Sequence, residues 1–351
     1  MSTAVPATMK ALLVQEGKKV AVKEVPVPTV GDDDILVKNV AVAQNPTDWK
    51  YVDFIRNAGT ILGCDWSGYV VAVGKNVTSP KIGDQVAGFL QGGTYTDSGA
   101  YAEYVRTPAE LSWVVPEGTI SCEEAATLGC AFWTAVQALY EPSRLGLVEP
   151  PRKVEREEWI FISSGSSSVG QYAIQLAHLS GYKVATTSSP HNFELVKSLG
   201  ADVVFDYHGP SAVSQIKNAT GDQIRHAFDT ICTKETQELC ARALAPGGGK
   251  IILVLSPIPE AKVRDDVEVL PTLIYTSLGR TFTLGGVSYP PSHTDRAHMA
   301  AFLKKVPALV AQGQITPNRI HRWEGGLESI SDGLQYMRKG KVSAEKIVYT
   351  L

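Results

Sequence analysis

A serine-rich turn between a predicted strand and a predicted helix contains the residue types that bind phosphate. The apolar run Trp159–Ile162 leads directly into residues 163–170, SSGSSSVG, and a helical pattern follows. Small residues let a phosphate approach the backbone, and the free N–H groups at a helix start point toward the anion. A plain serine-rich turn is the alternative, but the strand–turn–helix context favours a pyrophosphate site. The predicted contacts are Ser164, Gly165, Ser166, Ser167, Ser168 and Val169.

The end of the next predicted strand, Lys183–Thr187, bears on the choice of dinucleotide. Enzymes that use NAD place Asp or Glu here to bind the ribose 2′-hydroxyl, and this chain has neither. Neutral hydroxyls and a histidine suit a 2′-phosphate instead, so we predict NADPH. For the histidine, an ordinary exposed loop position is the alternative. The predicted contacts are Ser188, Ser189, His191 and Asn192.

Further cofactor contacts are expected where other strands end, because ligands bind at the carboxyl ends of parallel strands. The ring of Tyr207 follows the third strand, where it either stacks near the adenosine or packs against the protein. Backbone groups at the end of the fifth strand would meet the cofactor, and a later glycine pair allows close approach to the nicotinamide. These candidates are Tyr207, Val254, Leu255, Leu284 and Gly285.

The elements that position these residues alternate between strand and helix after residue 158. Such alternation predicts an α/β domain with a doubly wound parallel sheet. The predicted helices are Val169–Ser180 and Asn192–Leu199, and the predicted strands are Trp159–Ile162, Lys183–Thr187, Val203–Phe205, His226–Ile231 and Ile251–Leu255.

The first third of the chain has a different pattern, with short β-prone runs separated by glycine and proline, which predicts a barrel-like domain. One helix is predicted over Cys122–Tyr140. Near the end, a helix over Arg296–Gln312 and a strand over Lys346–Leu351 are expected to return to the first domain. The predicted domains are therefore residues 1–130 with 300–351, and residues 131–299.

Bulk composition excludes several classes of protein. The 351 residues carry a net charge of −3, which does not suit a nucleic-acid phosphate backbone. No apolar run approaches the ~20 residues that cross a bilayer, and Met1–Met9 shows no signal pattern. We therefore expect a cytosolic protein that binds neither nucleic acid nor membrane. The five cysteines are odd in number and form no C-x-x-C pair, which disfavours a disulfide framework or a four-cysteine zinc lobe.

Several motifs in order along the chain resemble the catalytic domain of medium-chain dehydrogenase/reductases. Within this superfamily the chain is similar to the zinc-free quinone-oxidoreductase-like branch, and more narrowly to fungal trans-acting enoyl reductases of polyketide synthases. The resemblance implies a GroES-like, β-rich domain beside the dinucleotide-binding domain. The motifs are Asn45–Lys50, Gly63–Val70, Val73-Gly74, Gly83–Gly88 and Gly340–Val342; the narrower match lies in residues 94–104, 124–129, 189–193 and 205–207.

The resemblance also indicates that a catalytic zinc is missing. Zinc-dependent relatives have a cysteine at the position of Asn45, and Gly-His-Glu where this chain has Gly63-Cys64-Asp65. Catalytic zinc takes three protein ligands, so we expect no metal site. Without a Lewis acid, alcohol oxidation loses its usual means of activating the hydroxyl. Conjugate reduction of a carbon–carbon double bond beside a carbonyl remains feasible.

By resemblance, Thr47, Asp48, Trp49 and Lys50 face the cofactor. Lys50 would then bind a phosphate or stabilise enolate charge, and a surface lysine is the alternative. The resemblance also places Thr134 near the nicotinamide or the substrate carbonyl, with a buried threonine bonded to its own helix as the alternative. It implies two more cofactor contacts from the returning tail, Lys341 and Val342.

The apolar stretch Leu270–Leu278, with Tyr275 and Leu278, is predicted either to line an acyl pocket or to pack in the core or a subunit contact. We expect NADPH-dependent reduction of an α,β-unsaturated acyl thioester, free or carrier-bound, in trans to a polyketide synthase. A free-standing quinone or enone reductase and a cofactor-binding protein without activity are the alternatives. Water, Lys50 or a tyrosine are all candidate proton donors, and the oligomeric state stays open.

Overall fold

A computed structural model describes residues 5–351, which divide into two compact units. The first unit contains residues 5–130, 275–313 and 317–351, and the second contains residues 131–274 and 314–316. The second unit begins at residue 131, as in the predicted division. Its main segment ends at residue 274, whereas the predicted domain ends at residue 299. Part of the N-terminal segment used to predict the absence of a signal, residues 1–4, lies outside the described residues.

The first unit begins as antiparallel β-structure. A hairpin of two strands, β1 and β2, precedes a larger sheet in the order β16-β17-β3-β4-β5-β7, whose first two strands, β16 (Ile320–Arg322) and β17 (Lys346–Thr350), come from the end of the chain. Strand β17 pairs with the end of β3, and β6 pairs with its beginning. Gly68 in β4 allows this close pairing, because a Cβ there would lie 2.0 Å from the carbonyl oxygen of Lys38. The strands are β1 (Thr8–Gln15), β2 (Lys19–Pro26), β3 (Asp34–Ala43), β4 (Asp65–Val73), β5 (Gln85–Phe89), β6 (Tyr104–Pro108) and β7 (Ser112–Val114), and the helices are α1 (Pro46–Lys50), extended by a π-helical turn over Tyr51–Ile55, and α2 (Cys122–Ala126).

The single helix predicted over Cys122–Tyr140 is wrong, because the chain forms α2 and then α3 (Cys130–Tyr140). The Cys130 N–H donates to Oδ1 of Asp65 at 2.6 Å, so a side chain from β4 binds the start of α3. A Cβ at Gly129 would lie 2.3 Å from that same oxygen. The break therefore brings a buried carboxylate against a helix start.

The second unit contains a six-stranded parallel sheet in the order β10-β9-β8-β11-β12-β13. This order, which reverses between β8 and β11, confirms the doubly wound α/β fold. The sixth strand was not predicted. The elements are β8 (Trp159–Ser163), α4 (Ser168–Leu179), β9 (Lys183–Ser188), α5 (Phe193–Ser198), β10 (Val203–Asp206), α6 (Ala212–Ala219), β11 (His226–Asp229), α7 (Lys234–Ala243), β12 (Gly249–Leu253) and β13 (Val267–Pro271).

One face of this sheet is covered by apolar contacts from α6 and α7. Phe161 of β8, Ile251 of β12 and Ile216 of α6 are at most 1% exposed and belong to one buried cluster. Burial of each large side chain stabilises the fold by roughly 1.5–3 kcal/mol. The near-continuous apolar strands are typical of a parallel sheet with both faces covered.

The chain then returns to the first unit, where its last strand pairs with β3. The helix predicted over Arg296–Gln312 is divided into two helices. Pro307 lies in the first turn of the second helix, where its missing N–H is tolerated. No helix within residues 5–351 is long and apolar enough to cross a membrane. The returning elements are a 3₁₀ turn (Ile274–Leu278), β14 (Phe282–Leu284), β15 (Val287–Tyr289), α8 (His293–Leu303), α9 (Val306–Ala311), β16 (Ile320–Arg322), α10 (Gly326–Arg338) and β17 (Lys346–Thr350).

Candidate active site

The serine-rich turn lies at the switch point of the parallel sheet, between β8 and α4. Its backbone is tied to the end of β9, because Gly165 N–H donates to the Thr187 carbonyl at 2.8 Å and Ser164 N–H donates to the Thr187 hydroxyl at 3.0 Å. Ser164 has a φ of +62°, an uncommon conformation for a residue with a side chain. Two strand ends and one helix start therefore fix the shape of the turn.

This turn fits a pyrophosphate. A Cβ at Gly165 would lie 2.2 Å from Oγ1 of Thr186, and one at Gly170 would lie 2.6 Å from the Ser164 carbonyl, so the backbone packs too closely for any side chain. The N–H groups of Ser168 and Val169 lie in the first turn of α4, where no helical carbonyl accepts from them. The turn thus offers donors and the positive end of a twelve-residue helix.

The serines of the turn have different surroundings. Ser167 caps α4 by accepting from Gly170 N–H at 2.9 Å, and its hydroxyl lies 2.8 Å from that of Thr230. Ser164, Ser166 and Ser168 are half-buried. Ser167, which is also half-buried, therefore shapes the turn through its hydrogen bonds.

At the end of β9, the structure brings together some of the residues predicted to meet a 2′-phosphate. The Ser189 hydroxyl lies 3.4 Å from that of Tyr207, which is 44% exposed. His191 is exposed, whereas Ser188 and Asn192 are buried. On the neighbouring strand β10, Asp206 pairs with Ser188, the last residue of β9. Its carboxylate accepts a hydrogen bond from the His208 N–H at 3.0 Å.

The remaining predicted contacts of the second unit lie after β12 and within α3. Val254 follows β12 and its N–H donates to the Asp229 carbonyl at 3.2 Å. Leu255 is 47% exposed, and Thr134 in α3 is 7% exposed. These positions stay predictions for cofactor and substrate contact.

In the first unit, the glycine pair forms the tight turn of the β14–β15 hairpin. Gly285 and Gly286 have φ of +58° and +81°, conformations that favour glycine in two-residue hairpin turns. Leu284, just before them, is half-buried. After the end of α10, Lys341 is exposed with its Nζ 5.6 Å over the Tyr336 ring, and Val342 is half-buried.

The segment after β3 carries the residues that the resemblance places near the reaction. Thr47 is half-buried, and its hydroxyl lies 2.6 Å from that of Tyr275. The half-buried Trp49 ring lies under two cations, with the Lys50 Nζ and the Arg338 guanidinium each 5.9 Å from its centroid. Arg338 also forms two 2.8 Å bonds with Asp53, which join α10 to this segment.

Asp48 does not face outward with its neighbours, and its contact with the cofactor stays a prediction. Its side chain is 1% exposed, and Oδ2 accepts from the Asn45 N–H and the Tyr101 hydroxyl, both at 2.7 Å. Desolvation by burial raises the pKa of Asp48 to about 7. Asp48 is therefore a positioning residue for the loop that carries Thr47.

A buried ammonium lies at the positions where the resemblance places zinc ligands. The Lys346 Nζ lies 2.9 Å from Oδ2 of Asp65 and donates to Oδ1 of Asn45 at 2.5 Å. The Lys346 and Asp65 side chains are 2% and 0% exposed. Burial, with neighbouring acidic groups, raises the pKa of the Cys64 thiol well above its usual range, which disfavours the thiolate that binds metal. Among residues 5–351, no group of three or more His, Cys, Asp or Glu is arranged to hold a metal ion.

The phenol of Tyr275 lies in an aromatic cage within the first unit. It contacts Tyr51 edge to face at 6.0 Å, stacks on Phe89 at 6.0 Å and meets Phe282 at 5.8 Å. Burial raises the pKa of Tyr275 well above its usual range, so the phenol stays protonated and orients the Thr47 hydroxyl. Leu278 shares the 3₁₀ turn with Tyr275 and is 6% exposed.

Comparison with known proteins identifies the family. Residues 31–117 match the alcohol dehydrogenase GroES-like domain, and residues 168–278 match the zinc-binding dehydrogenase family. A trans-enoyl reductase of Alternaria alternata is 39% identical over 348 residues, covering 98% of this chain and 99% of that protein. The chain belongs to the medium-chain dehydrogenase/reductase superfamily.

Two further similar proteins extend this comparison. A zinc-type alcohol dehydrogenase-like protein of Schizosaccharomyces pombe is 37% identical over 350 residues, covering 97% of this chain and 99% of that protein. The crystal structure of an alcohol dehydrogenase superfamily protein from Novosphingobium aromaticivorans has a TM-score of 0.79 at 23% identity, covering 98% and 100% of the two chains. This likeness confirms the fold, with its Rossmann-type sheet and GroES-like unit.

Membership in the superfamily makes the protein an oxidoreductase that uses a nicotinamide dinucleotide.

Sequence reasoning missed several residues that shape its site. Lys346 lies 301 residues from Asn45, and no spacing pattern links two such positions. Tyr101 donates to Asp48, and the Thr230 hydroxyl lies 2.8 Å from that of Ser167 and also donates to the Ser163 carbonyl at 2.9 Å. The sequence alone does not reveal these long-range contacts.

Proposed function

We propose that this protein reduces the carbon–carbon double bond of an α,β-unsaturated acyl thioester with NADPH and without zinc. The observation that carries the proposal is the buried Lys346 ammonium between Asn45 and Asp65. A fixed cation at this place suits a reaction that needs no Lewis acid. The similarity to a trans-enoyl reductase over nearly the whole chain supports the same reaction.

The donor set does not fit a catalytic zinc ion. Asn45 offers an amide oxygen that already accepts from Lys346, and Asp65 is paired with the same ammonium. A divalent cation would have to displace this ammonium from a site with little room. The word zinc in the names of the matched family and of one relative therefore does not carry over to our proposal.

The residues of the serine-rich turn would hold the pyrophosphate of the cofactor, and those at the end of β9 would meet its 2′-phosphate. Ser189, Tyr207 and the exposed His191 supply neutral or cationic donors there. The lack of a carboxylate directly after β9 favours NADPH over NADH. When bound, the cofactor supplies a hydride for the β-carbon of the substrate.

The first unit supplies the groups that stabilise the enolate formed on the substrate. The Thr47 hydroxyl, oriented by Tyr275 at 2.6 Å, is a hydrogen-bond donor with a fixed direction, as such stabilisation requires. The Lys50 ammonium adds positive charge on the same helix. Thr134 is proposed as a second hydroxyl that contacts the substrate.

We further propose that the acyl group is presented by a polyketide synthase acting as a separate protein. The similarity to a trans-enoyl reductase supports this partner. A free-standing quinone or enone reductase would share the same cofactor turn, so substrate choice separates the two.

The test is NADPH oxidation by the purified protein, with a short 2-enoyl thioester and with a simple quinone, beside NADH as the alternative cofactor. We expect turnover of the thioester with NADPH, retained after treatment with a strong chelator and lowered by about tenfold or more in Lys50→Ala. Lys305→Ala, a lysine of the same unit outside the site, is the matched control and should behave as the wild type. Turnover of the quinone alone, or loss of activity with the chelator that added zinc restores, would overturn the proposal.

A further inference from the structure

A cavity of about 300 Å³ lies in the second unit, between α7, the strands β12 and β13 and the segment that joins these two strands. That segment contains a 3₁₀ turn over Pro259–Ala261, which packs against α7. We call this space the α7 cavity. Its lining includes none of the residues proposed above to contact cofactor or substrate, and the lining residues used below are Gln237, Ala241, Ile251, Ala261, Lys262 and Arg264.

Small side chains leave the α7 cavity unfilled. Ala241 of α7 and Ala261 of the 3₁₀ turn line it and are 6% and 4% exposed, so a longer side chain at either position would enter the space. Pro257 and Pro259 fix two φ angles of the joining segment, which limits its collapse onto α7. The walls of such a space lose dispersion contacts, and a bound molecule would restore them.

The walls of the cavity are mostly apolar. Ile251 and Leu253 of β12 are at most 1% exposed. Val267 and Val269 of β13 pack against the same buried cluster. An apolar cavity of about 150 Å³ stays dry and binds benzene, and the α7 cavity has twice that volume. It therefore has room for a molecule of about two fused rings.

The two charged side chains that line the cavity already have partners. The Arg264 guanidinium donates to the Leu244 carbonyl at 2.7 Å and lies 2.6 Å from the Asp266 carboxylate. The Lys262 ammonium lies 2.8 Å from the Asp265 carboxylate. A ligand with an ionised group would have to displace one of these carboxylates or lie against it. The lining therefore suits an uncharged molecule.

The joining segment also leads to predicted cofactor contacts. Val254 and Leu255 are the proposed contacts after β12, and the lining of the cavity resumes two residues later, at Pro257. Oε1 of Gln237 accepts from the Ile258 N–H at 3.0 Å, so α7 is bonded to this segment. A molecule in the cavity would hold the segment against α7. Cofactor and bound molecule would then affect each other's affinity by the same factor.

We propose that the α7 cavity binds an uncharged apolar molecule of about two rings and that its occupation strengthens cofactor binding. This site lies beyond the proposed function, because it involves the cofactor and no acceptor substrate. A core space that accepts no molecule is the opposing outcome.

The test is isothermal titration of the full chain with indole, which is uncharged, and with indole-3-carboxylate, its anionic counterpart. We expect saturable binding of indole at one site and no binding of the carboxylate. Ala241→Leu and Ala261→Leu fill the cavity from opposite walls, and each should weaken indole binding by about tenfold or more. Ala219→Leu is the matched control, because this alanine at the end of α6 is exposed and lies outside the cavity. It should bind indole as the wild type does.

The coupling is tested by NADPH titration with and without saturating indole. We expect indole to tighten NADPH binding about fivefold, and NADPH to tighten indole binding by the same factor. Absence of saturable indole binding, or binding that survives both filling substitutions, would overturn the site. Equal NADPH affinity with and without indole would overturn the coupling. Failure to bind NADPH under any condition would instead contradict the proposed function, while indole binding would still support the site.

Discussion

The two functional regions of this chain are held together by different means. The turn between β8 and α4 depends on backbone hydrogen bonds and on the absence of a side chain at Gly165. The cluster after β3 depends on buried charges, chiefly the Lys346–Asp65 pair. The strand, turn and helix of the first region follow one another in the sequence, whereas the cluster depends on side chains up to 301 residues apart. Substitutions in the turn should therefore weaken ligand binding, and substitutions in the cluster should weaken folding.

The largest effect is expected for Lys346→Met. This change leaves Asp65 buried without a counter-charge, which typically costs about 3–5 kcal/mol. Urea unfolding at pH 7 measures the loss. Adding Asp65→Asn should recover much of it, because Asn still offers an oxygen to the Cys130 N–H.

Lys183→Met is the control for this prediction. Lys183 forms a 2.9 Å pair with Asp202, but its side chain is 45% exposed, so water and salt screen the pair and the loss should be much smaller than for Lys346→Met. Equal losses for the two lysines would contradict the view that the buried charge stabilises the cluster.

Asp48 makes the stability of the cluster depend on pH. Because burial raises its pKa from 3.8 to about 7, the folded state binds the proton more tightly than the unfolded state. This stabilisation is complete below pH 3.8 and is lost as the pH rises to about 7, by about 4 kcal/mol at ~1.4 kcal/mol per pKa unit. Asp48→Asn, which mimics the neutral acid, should lose less stability than the wild type between about pH 4 and pH 7.

The measurement is the free energy of unfolding of both proteins at several pH values. Asp32→Asn, at a carboxylate 61% exposed, is the control and should follow the wild-type curve. Parallel curves for the wild type and Asp48→Asn would show that Asp48 is ionised in the folded protein throughout this range.

Gly165→Ala should have a smaller effect on stability, about 1–3 kcal/mol, and a specific effect on the cofactor. The added Cβ would lie 2.2 Å from Oγ1 of Thr186 and 2.7 Å from Cδ1 of Ile174, so the turn must shift. We expect NADPH affinity, measured by fluorescence titration, to fall by more than about tenfold. Ser166→Ala keeps a small residue and should change affinity less; a larger loss in Ser166→Ala would contradict a backbone-based site.

The same comparison explains how much was predictable from the sequence. The turn and the doubly wound sheet were predicted because strand, turn and helix are adjacent in the chain, within residues 159–179. The break between α2 and α3 was missed because Asp65, 65 residues away, binds the start of α3. The Lys346 contact was missed for the same reason, since it depends on the pairing of β17 with β3.

The orientation of individual side chains was the least predictable feature. Thr47 and Asp48 are adjacent and both were expected to face the cofactor, yet one bonds Tyr275 and the other is buried against Tyr101. In a short helix such as α1, neighbouring residues point about 100° apart, so one of a pair turns inward. Sequence patterns over so short a helix do not decide which.

The most direct test of the proposed function follows the hydride itself. The protein would be supplied with NADPH deuterated at the transferred position of C4 and with a 2-enoyl thioester, and the product would be analysed by NMR. We predict one deuterium on the β-carbon and a solvent proton on the α-carbon. Deuterium on the carbonyl carbon, or none in the product while NADPH is oxidised, would contradict reduction of the carbon–carbon double bond.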